Sequence, residues 1–253
     1  MNRTPPVAVL RELRNEVGFA CPVQACNSPF LEWHHFDPPW REENHHNPKG
    51  MIALCREHHI QADVGAFTTE QLLEMKSKHN DSLASAKFNW LRNKILLVLG
   101  GSYFYDFNVA LQYGGRPIVW FERDENNNLL LNFDMLSTSR EKRACMRKNQ
   151  WYSSGLEEDI VCPPSGRKVQ IRYDNGDFIS IEFLEKTNSF DLFTKFPRAS
   201  PDIRNLTYPV TCVVINGAVG GTEVRFSPEE LVIPGNNSFA ECFFKGGNIA
   251  ISF

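Results

Sequence analysis

The sequence predicts an α+β fold of two domains, a small cysteine- and histidine-rich domain over residues 1–95 and a β-rich domain over residues 96–253. Two observations support this division. Six of the seven histidines lie between His34 and His59. From about Leu96 onward, short apolar runs alternate with Gly, Asn and Asp turns, which is the pattern of short strands. The second domain is expected to be sandwich-like or solenoid-like.

Local signals place several elements. The stretch "TPPVAVLRELRNEVG" predicts a helix with Thr4 as its N-cap, one apolar face, and Gly18 after its end. A second helix starts in "TTEQLLEMKSKHN", where Thr68 and Gln71 have the spacing of a capping box. The stretch "SLASAKFNWLRNKI" is expected to continue as helix or linker. Further on, "YDNGDF" predicts a hairpin because Asn-Gly readily supplies positive φ angles.

Composition and charge exclude several classes of protein. The chain of 253 residues is 42% hydrophobic and 23% charged, as expected of a soluble globular protein. It contains no run of about 18 apolar residues, and its charged start argues against a secretion signal. Seven cysteines, an odd number, indicate free thiols in a reducing compartment, here the cytoplasm. The net charge of −3 provides no overall basic field for nucleic acid.

Four residues have the spacing of a structural zinc site. Four residues separate Cys21 from Cys26, and two separate Cys55 from His58. Two such chelating pairs, joined by a longer segment, are the usual arrangement around tetrahedral zinc. In a domain this small the zinc would supply much of the folding free energy. The alternative is that these residues are scattered buried thiols.

The remaining histidines indicate a second site. Adjacent residues of a strand face opposite sides, so one imidazole of His34-His35 can bind a metal while the other faces a substrate. We expect His34 and His59 to hold a divalent ion and His35 to act as a free base. His45 and His46 are expected to be exposed loop residues, with phosphate contacts or metal ligation as the alternative.

Several of these motifs follow one another in the order found in a known family. Cys-x4-Cys, His-His, "HNPKGMIALC" and Cys-x2-His-His together resemble the zinc-supported HNH nucleases over about residues 15–80. The resemblance implies a ββα-metal finger that hydrolyses DNA phosphodiester bonds to 5′-phosphate and 3′-hydroxyl products. It implies His35 as the general base, with His34 and His59 holding Mg²⁺, Mn²⁺ or Ni²⁺ as the catalytic ion.

The chain departs from this family at one position. The family has a central Asn that stiffens the loop and orients the base, and many members carry it five residues before the third zinc ligand. In this chain that position is Gly50. The nearest Asn is Asn47, to which the resemblance assigns the role.

The expected function is therefore a metal-dependent endonuclease acting on DNA. By analogy, such enzymes serve in prokaryotic restriction or anti-phage defence, either alone or held inactive by a regulatory protein partner. The rival is a zinc-bound module that binds nucleic acid or protein without catalysis. Such a module needs four ligands only, so His35 and His59 distinguish the two hypotheses.

Three further groups of residues have open interpretations. Trp33 and Trp40 either stack on bases or pack in the core. Cys145, Cys162, Cys212 and Cys242 lack ligand spacing and are expected to be free buried thiols. The most basic segment is either a phosphate-tracking surface or a solvated face, and its charged residues are Arg140, Lys142, Arg143, Arg147 and Lys148.

Overall fold

A computed structural model of the chain describes residues 3–77, 83–235 and 241–253. The chain forms two compact units. The first unit contains Met1–Ala86 and Tyr152–Gly166, and the second contains Lys87–Trp151 and Arg167–Phe253. His79 lies outside the described residues.

The described residues contain α-helices and 3₁₀ turns in both units. The α-helices are α1 (Val7–Glu16), α2 (Arg56–Asp63), α3 (Thr69–Ser77) and α4 (Ser189–Lys195), and the 3₁₀ turns are Pro48–Gly50 and Pro201–Asn205.

The strands are short in the first unit and longer in the second. They are β1 (Leu31–His35), β2 (Met51–Cys55), β3 (Ser85–Lys87), β4 (Ile95–Leu99), β5 (Ser102–Tyr113), β6 (Arg116–Arg123), β7 (Leu129–Asp134), β8 (Cys145–Arg147), β9 (Gln150–Tyr152), β10 (Asp159–Val161), β11 (Lys168–Arg172), β12 (Phe178–Lys186), β13 (Val210–Ala218), β14 (Arg225–Phe226), β15 (Leu231–Val232) and β16 (Phe243–Ser252).

An antiparallel hairpin and one helix form the centre of the first unit. β1 pairs with β2 so that His34 lies opposite Ile52 and His35 opposite Met51. All five residues of β2 are buried, and α2 begins at the very next residue, Arg56. The strand therefore positions the helix directly. The apolar core around the hairpin consists of Leu13, Val17, Cys21, Leu31, Phe36, Met51, Ile52, Ala53, Leu54, Cys55, Ala62 and Leu72.

A late segment of the chain, residues 152–166, completes the first unit. Its strand β10 carries Asp159, whose two carboxylate oxygens accept hydrogen bonds from Nε and Nη2 of Arg14, both at 2.9 Å. Both side chains are nearly buried, with 7% of Arg14 and 11% of Asp159 exposed. Phe30 also forms an isolated parallel bridge with Cys162. The segment thus contacts α1 through a buried, bidentate ion pair and the residue before β1 through a backbone bridge.

The second unit is built on one curled, half-barrel sheet. Its central path runs β11-β12-β13-β4-β5-β6-β7-β8, and most neighbours are antiparallel. The β13–β4 and β16–β5 pairs are parallel. A continuous, mainly antiparallel path differs from both the two packed sheets of a sandwich and the parallel coils of a solenoid, so the expectation of either was wrong for this domain.

Several local predictions have definite outcomes. The Thr68–Gln71 capping box is confirmed, since Thr68 N donates to Gln71 Oε1 at 2.9 Å and Gln71 N donates to Thr68 Oγ1 at 3.2 Å. The β11–β12 hairpin is confirmed around Gly176, which has φ of 89°. Pro6, and not Thr4, holds the N-cap position of α1.

The domain division differs from the predicted one at two places. The expected boundary lies between residues 95 and 96, whereas the compact units divide after Ala86. Residues 85–95 contain the short strand β3 and irregular chain in place of a helix or a simple linker. Residues 152–166 belong to the first unit. No local pattern in the sequence predicts this, because it depends on the ion pair between Asp159 and Arg14 in α1.

In residues 3–77, 83–235 and 241–253, no helix combines the length and the apolar character needed to cross a membrane.

Removal of the buried carboxylate should destabilise the first unit. Asp159→Asn leaves the charge of Arg14 buried without its partner, which costs about 3–5 kcal/mol of unfolding free energy. The control is Glu158→Gln, because Glu158 pairs with Arg11 at 2.9 Å on the surface, where both side chains are over two-fifths exposed. That change should cost at most about 1 kcal/mol. Urea unfolding of both variants measures the difference, and equal losses would contradict the role given to residues 152–166.

Candidate metal centres

The four predicted zinc ligands come together at one corner of the first unit. Cys21 and Cys26 lie in the loop after α1, and that loop is closed by a backbone hydrogen bond from Cys21 N to Ser28 O at 2.8 Å. Cys55 is both the last residue of β2 and the N-cap of α2. His58 lies in the first turn of α2, so its ring points back toward the thiol of Cys55.

The distances between these side chains fit a tetrahedral metal ion. Nδ1 of His58 lies 3.3 Å from Sγ of Cys21 and 3.2 Å from Sγ of Cys55, and the Cys26 and Cys55 sulfurs are 3.7 Å apart. All four donor atoms lie within 4.8 Å of one another. Tetrahedral bonds of about 2.3 Å to sulfur place neighbouring sulfurs roughly 3.8 Å apart. A sulfur separation of 3.7 Å also excludes a disulfide, which requires about 2.05 Å.

Burial of the cluster makes a metal ion chemically plausible. Burial raises the pKa of the Cys21 and Cys26 thiols above the ordinary value, with the neighbouring thiols contributing. Thiolates therefore form there only beside a cation. A bound metal ion supplies that cation, and three sulfurs with one imidazole nitrogen fill all four tetrahedral positions.

A second cluster contains the predicted pair His34, which lies in β1, and His59, which lies in α2. Nδ1 of His34 lies 3.2 Å from Oδ1 of Asp63, and Nδ1 of His59 lies 3.4 Å from Oδ2 of the same carboxylate. The two imidazole rings are perpendicular, with centroids 5.3 Å apart. These three residues can hold one metal ion. Two nitrogens and one carboxylate leave positions open for water or phosphate oxygen.

Asp63 was not predicted, although a signal for it was present. It follows His59 by four residues, the spacing at which side chains share one face of a helix. His59 is oriented from its other side, where Nε2 donates to the carbonyl of Trp33 at 3.3 Å. A second carboxylate, Glu32, lies with Oε2 3.8 Å from Nδ1 of His59. The site is thus more acidic than the histidines alone suggested.

His35 is separated from the metal cluster and faces the loop that follows β1. Its Nε2 lies 3.1 Å from the carbonyl oxygen of His45, and its ring packs against Trp40 with centroids 4.7 Å apart. Burial, with a contribution from His45, lowers the pKa of His35 to about 4. Burial and the adjacent His59 also lower the pKa of His34. Both imidazoles are therefore neutral at pH 7.

An open cleft of about 470 Å³ brings these groups together. Its lining includes His34, His35, His59, Asp63 and two cations, Arg3 and Arg41. The arrangement combines a neutral imidazole, a three-residue metal cluster and positive charge in one solvent-accessible space, which suits binding and hydrolysis of an anionic phosphate ester.

The structure places Asn47 at the start of the 3₁₀ turn in the loop between β1 and β2. Its side-chain oxygen accepts a hydrogen bond from Lys49 N at 3.2 Å and caps the 3₁₀ turn. The residue that contacts His35 is His45. His45 is only 8% exposed, so the expectation of an exposed loop residue was wrong for it. His46 stacks on Trp40, with ring centroids 5.4 Å apart.

The basic segment of the second unit is only partly available to bind phosphate. Arg143 donates to the buried Asp177 at 3.1 Å, and Arg147 donates to Asp134 at 2.6 Å. Lys148 lies 3.8 Å from Glu122. Arg140 and Lys142 are exposed. Because Arg143 and Arg147 are paired with carboxylates of the same unit, the segment carries less free positive charge than its sequence indicates.

The other predictions for side chains have clear outcomes. Trp33 packs against the core of the first unit. In the part of the chain that the structure describes, all seven cysteines are outside disulfides. Of the four outside the metal cluster, Cys162 and Cys212 are buried, Cys145 is half-buried and Cys242 is exposed.

Comparison of the chain with protein-family models, curated proteins and solved structures finds no match.

The cysteine cluster should hold one metal ion per chain. Elemental analysis after dialysis is expected to find one tightly bound ion, and Cys55→Ser should lose it and unfold the first unit. The control is Cys162→Ser, a buried thiol of the same unit outside the cluster, which should keep the metal. Equal metal content in the two variants would exclude the cluster as the binding site.

The stability of the chain should depend on the protonation of His35. Its pKa is about 4 when folded and about 6.5 when unfolded, so the unfolded state binds the proton more tightly. The free energy of unfolding should therefore be highest above about pH 6.5 and should fall as the pH decreases toward about 4. Denaturant unfolding at pH 7.5 and 5.5, with metal content checked at each pH, should show a smaller difference for His35→Gln. An unchanged difference would contradict the assignment of the shift to His35.

Proposed function

We propose that the chain is a metal-dependent endonuclease of the HNH type that hydrolyses DNA phosphodiester bonds. The observation that carries the proposal is the common cleft, which is lined both by His35 and by the cluster of His34, His59 and Asp63. The hairpin β1–β2 followed directly by α2 has the order of a ββα-metal finger. This order supports the resemblance to HNH nucleases that the sequence motifs indicated.

The two clusters have donor sets of different chemistry, and we assign them different ions. Three sulfurs and an imidazole form a closed, soft set that suits structural zinc. The two imidazoles and carboxylate of the second cluster form an open set that suits Mg²⁺, Mn²⁺ or Ni²⁺. A divalent ion bound there supplies Lewis-acid stabilisation of charge on the phosphate and on the leaving oxygen.

The chain's own residues perform the proton transfer and positioning. Neutral His35 accepts a proton from a water molecule, and the water oxygen forms a bond to phosphorus as the bond to the 3′ oxygen breaks. The products are a 5′-phosphate and a 3′-hydroxyl group. Arg3 and Arg41 line the cleft and attract the phosphate backbone. His34, Asp63 and His59 would hold the divalent ion in the cleft that His35 also lines.

The biological setting is also a proposal. The net charge of −3 and the internal pairing of Arg143 and Arg147 leave little free basic surface for unspecific DNA binding. We therefore propose an enzyme that acts with a regulatory protein partner, in the cytoplasm, as an effector of restriction or anti-phage defence.

Supercoiled plasmid provides the direct test. The purified chain should nick or linearise it with Mg²⁺, Mn²⁺ or Ni²⁺, and brief EDTA treatment should abolish cutting before it removes zinc, because the open site exchanges its ion faster. His35→Ala should keep both ions and reduce the rate by about 10²- to 10⁴-fold, the usual contribution of a general base. Cutting near the wild-type rate by that variant would contradict the role of His35.

Two neighbouring histidines should give opposite phenotypes. His59→Ala and Asp63→Asn should keep zinc and fold but lose binding of the second ion and cleavage. His58→Ala should lose zinc and the fold of the first unit. Glu57→Gln, an exposed change on the same helix, is the matched control and should resemble the wild type. A chain that keeps zinc, binds no second ion and cuts neither DNA nor RNA would instead be the non-catalytic binding module.

A further inference from the structure

A small polar pocket lies in the second unit, at the loop that joins β7 to β8. Its volume is about 300 Å³, at the lower end of the range for small-molecule sites, which is roughly 300–1,000 Å³. The lining includes three basic side chains, Lys142, Arg143 and Arg147, and two carboxylates, Asp134 and Glu141. The pocket wall therefore has a formal excess of positive charge.

Arg143 is the buried cation of this pocket, with 7% of its side chain exposed. Its Cζ lies 4.2 Å from the centre of the Tyr173 ring, and its Nε donates to Oδ2 of Asp177 at 3.1 Å. Asp177 is fully buried and also accepts hydrogen bonds from Asn175 Nδ2 and Gly220 N, both at 2.9 Å. The guanidinium group is therefore held in place before a ligand arrives, which lowers the entropic cost of binding.

The loop that carries Arg143 is fixed by the same two partners. Ser137 Oγ donates to Asp177 and accepts from Ser139 N at 3.0 Å. Ala144 N donates to Oη of Tyr173 at 2.8 Å. Ser137 and Ser139 both line the pocket. The wall thus consists of side chains that hydrogen bonds hold in position.

Glu141 is the weakly held partner of Arg143. Its side chain is 65% exposed, and its Oε2 lies 3.3 Å from Nη1 of Arg143. Exposed ion pairs contribute little to stability, so an anion of higher charge can displace this carboxylate. Among the described residues, Asp177 and Glu141 are the hydrogen-bond partners of Arg143, which leaves further guanidinium N–H donors open to a ligand.

Charge and shape indicate the class of ligand. A phosphate monoester carries a charge of about −1.5 to −2 at pH 7, and a guanidinium group can bind two of its oxygens at once. None of the described lining residues is aromatic, so a nucleobase has no ring to stack on. The hydroxyl groups and carboxylates of the wall instead suit hydroxyl groups of a ligand.

A DNA backbone fits this pocket less well than a small molecule. Binding along a backbone requires a series of free cations, each beside one phosphate. Arg147, by contrast, is paired with Asp134 at 2.6 Å. One phosphate group in a pocket needs only the positioned guanidinium of Arg143 and one further cation, which Lys142 supplies from an exposed position.

We infer that this pocket binds a small phosphate monoester that carries hydroxyl groups, of the sugar phosphate class. Arg143 binds the phosphate after Glu141 is displaced, and Lys142 adds the second positive charge. The inference concerns the second unit alone. It goes beyond the proposed function and does not depend on nuclease activity.

The thiol of Cys145 provides a direct probe, because it is half-buried and lines the pocket. In the intact chain, saturating ribose 5-phosphate should slow its labelling by N-ethylmaleimide about tenfold, since a bound ligand restricts access to the thiol. Cys242, which is exposed and outside the lining, should react at an unchanged rate. Mass spectrometry of the peptides measures both rates. Inorganic phosphate should also slow the labelling of Cys145, whereas ribose and an oligonucleotide without terminal phosphates should not.

Four variants should change the affinity for ribose 5-phosphate differently in calorimetry. Glu141→Gln should raise it about two- to fivefold by removing the competing carboxylate, and Lys142→Gln should lower it by a similar factor. Arg143→Gln should lower it about 10- to 10²-fold, because charge-assisted hydrogen bonds are lost. The control is Arg140→Gln, an exposed cation of the same segment outside the lining, which should bind like the wild type.

Three results would overturn the inference. The first is labelling of Cys145 that neither ribose 5-phosphate nor inorganic phosphate slows. The second is equal slowing by the oligonucleotide, which would indicate a DNA-binding surface. The third is equal loss of affinity in Arg140→Gln and Lys142→Gln, which would indicate unspecific attraction. If Arg143→Gln does not fold, Glu141→Gln and Lys142→Gln decide by their opposite effects. A chain that binds the ligand as expected but cuts no DNA overturns the nuclease and keeps this site.

Discussion

The close approach of three thiols and one imidazole at the β2–α2 corner is the contact on which the candidate active site depends. Cys55 is at once the end of a buried strand, the N-cap of a helix and a member of the cluster. Through it, the loop after α1 is tied to α2, and the position of α2 decides where His59 and Asp63 lie. A metal ion bound by the cluster would hold the strand–helix angle and, with it, the geometry of the second cluster.

The hairpin gives its two adjacent histidines different environments. His34 lies against α2 beside a carboxylate, whereas His35 lies against the following loop and a backbone carbonyl. Alternation along a strand separates the two imidazoles, and burial keeps both neutral. His34 can therefore bind a metal ion, while His35 has an unprotonated ring nitrogen that can accept a proton. The loop is as important as the strand in this division, because the carbonyl oxygen of His45 lies 3.1 Å from Nε2 of His35.

The first unit is discontinuous in sequence, and this affects how it can be studied. Residues 152–166 provide Asp159, the buried partner of Arg14 in α1. A fragment that ends near residue 95 would lack Asp159, and Arg14 would lose the buried ion pair that links α1 to this segment. The chain on both sides of this segment belongs to the second unit, so the two units are joined by three crossings of the chain.

The sequence by itself identified most residues of the two candidate metal clusters, and the tertiary structure decided their geometry. Ligand spacing along the chain identified Cys21, Cys26, Cys55 and His58, because chelating pairs are local features of a turn or a helix end. Strand alternation likewise separated His34 from His35. Asp63 was within reach of the same reasoning through its helical spacing from His59. The contact of His45 with His35, the exclusion of a side chain at Gly50, and the ion pair of Asp159 with Arg14 depend on atoms brought together from distant or irregular segments. No periodic pattern encodes such contacts, since a loop's course and a buried ion pair are set by packing and not by local spacing.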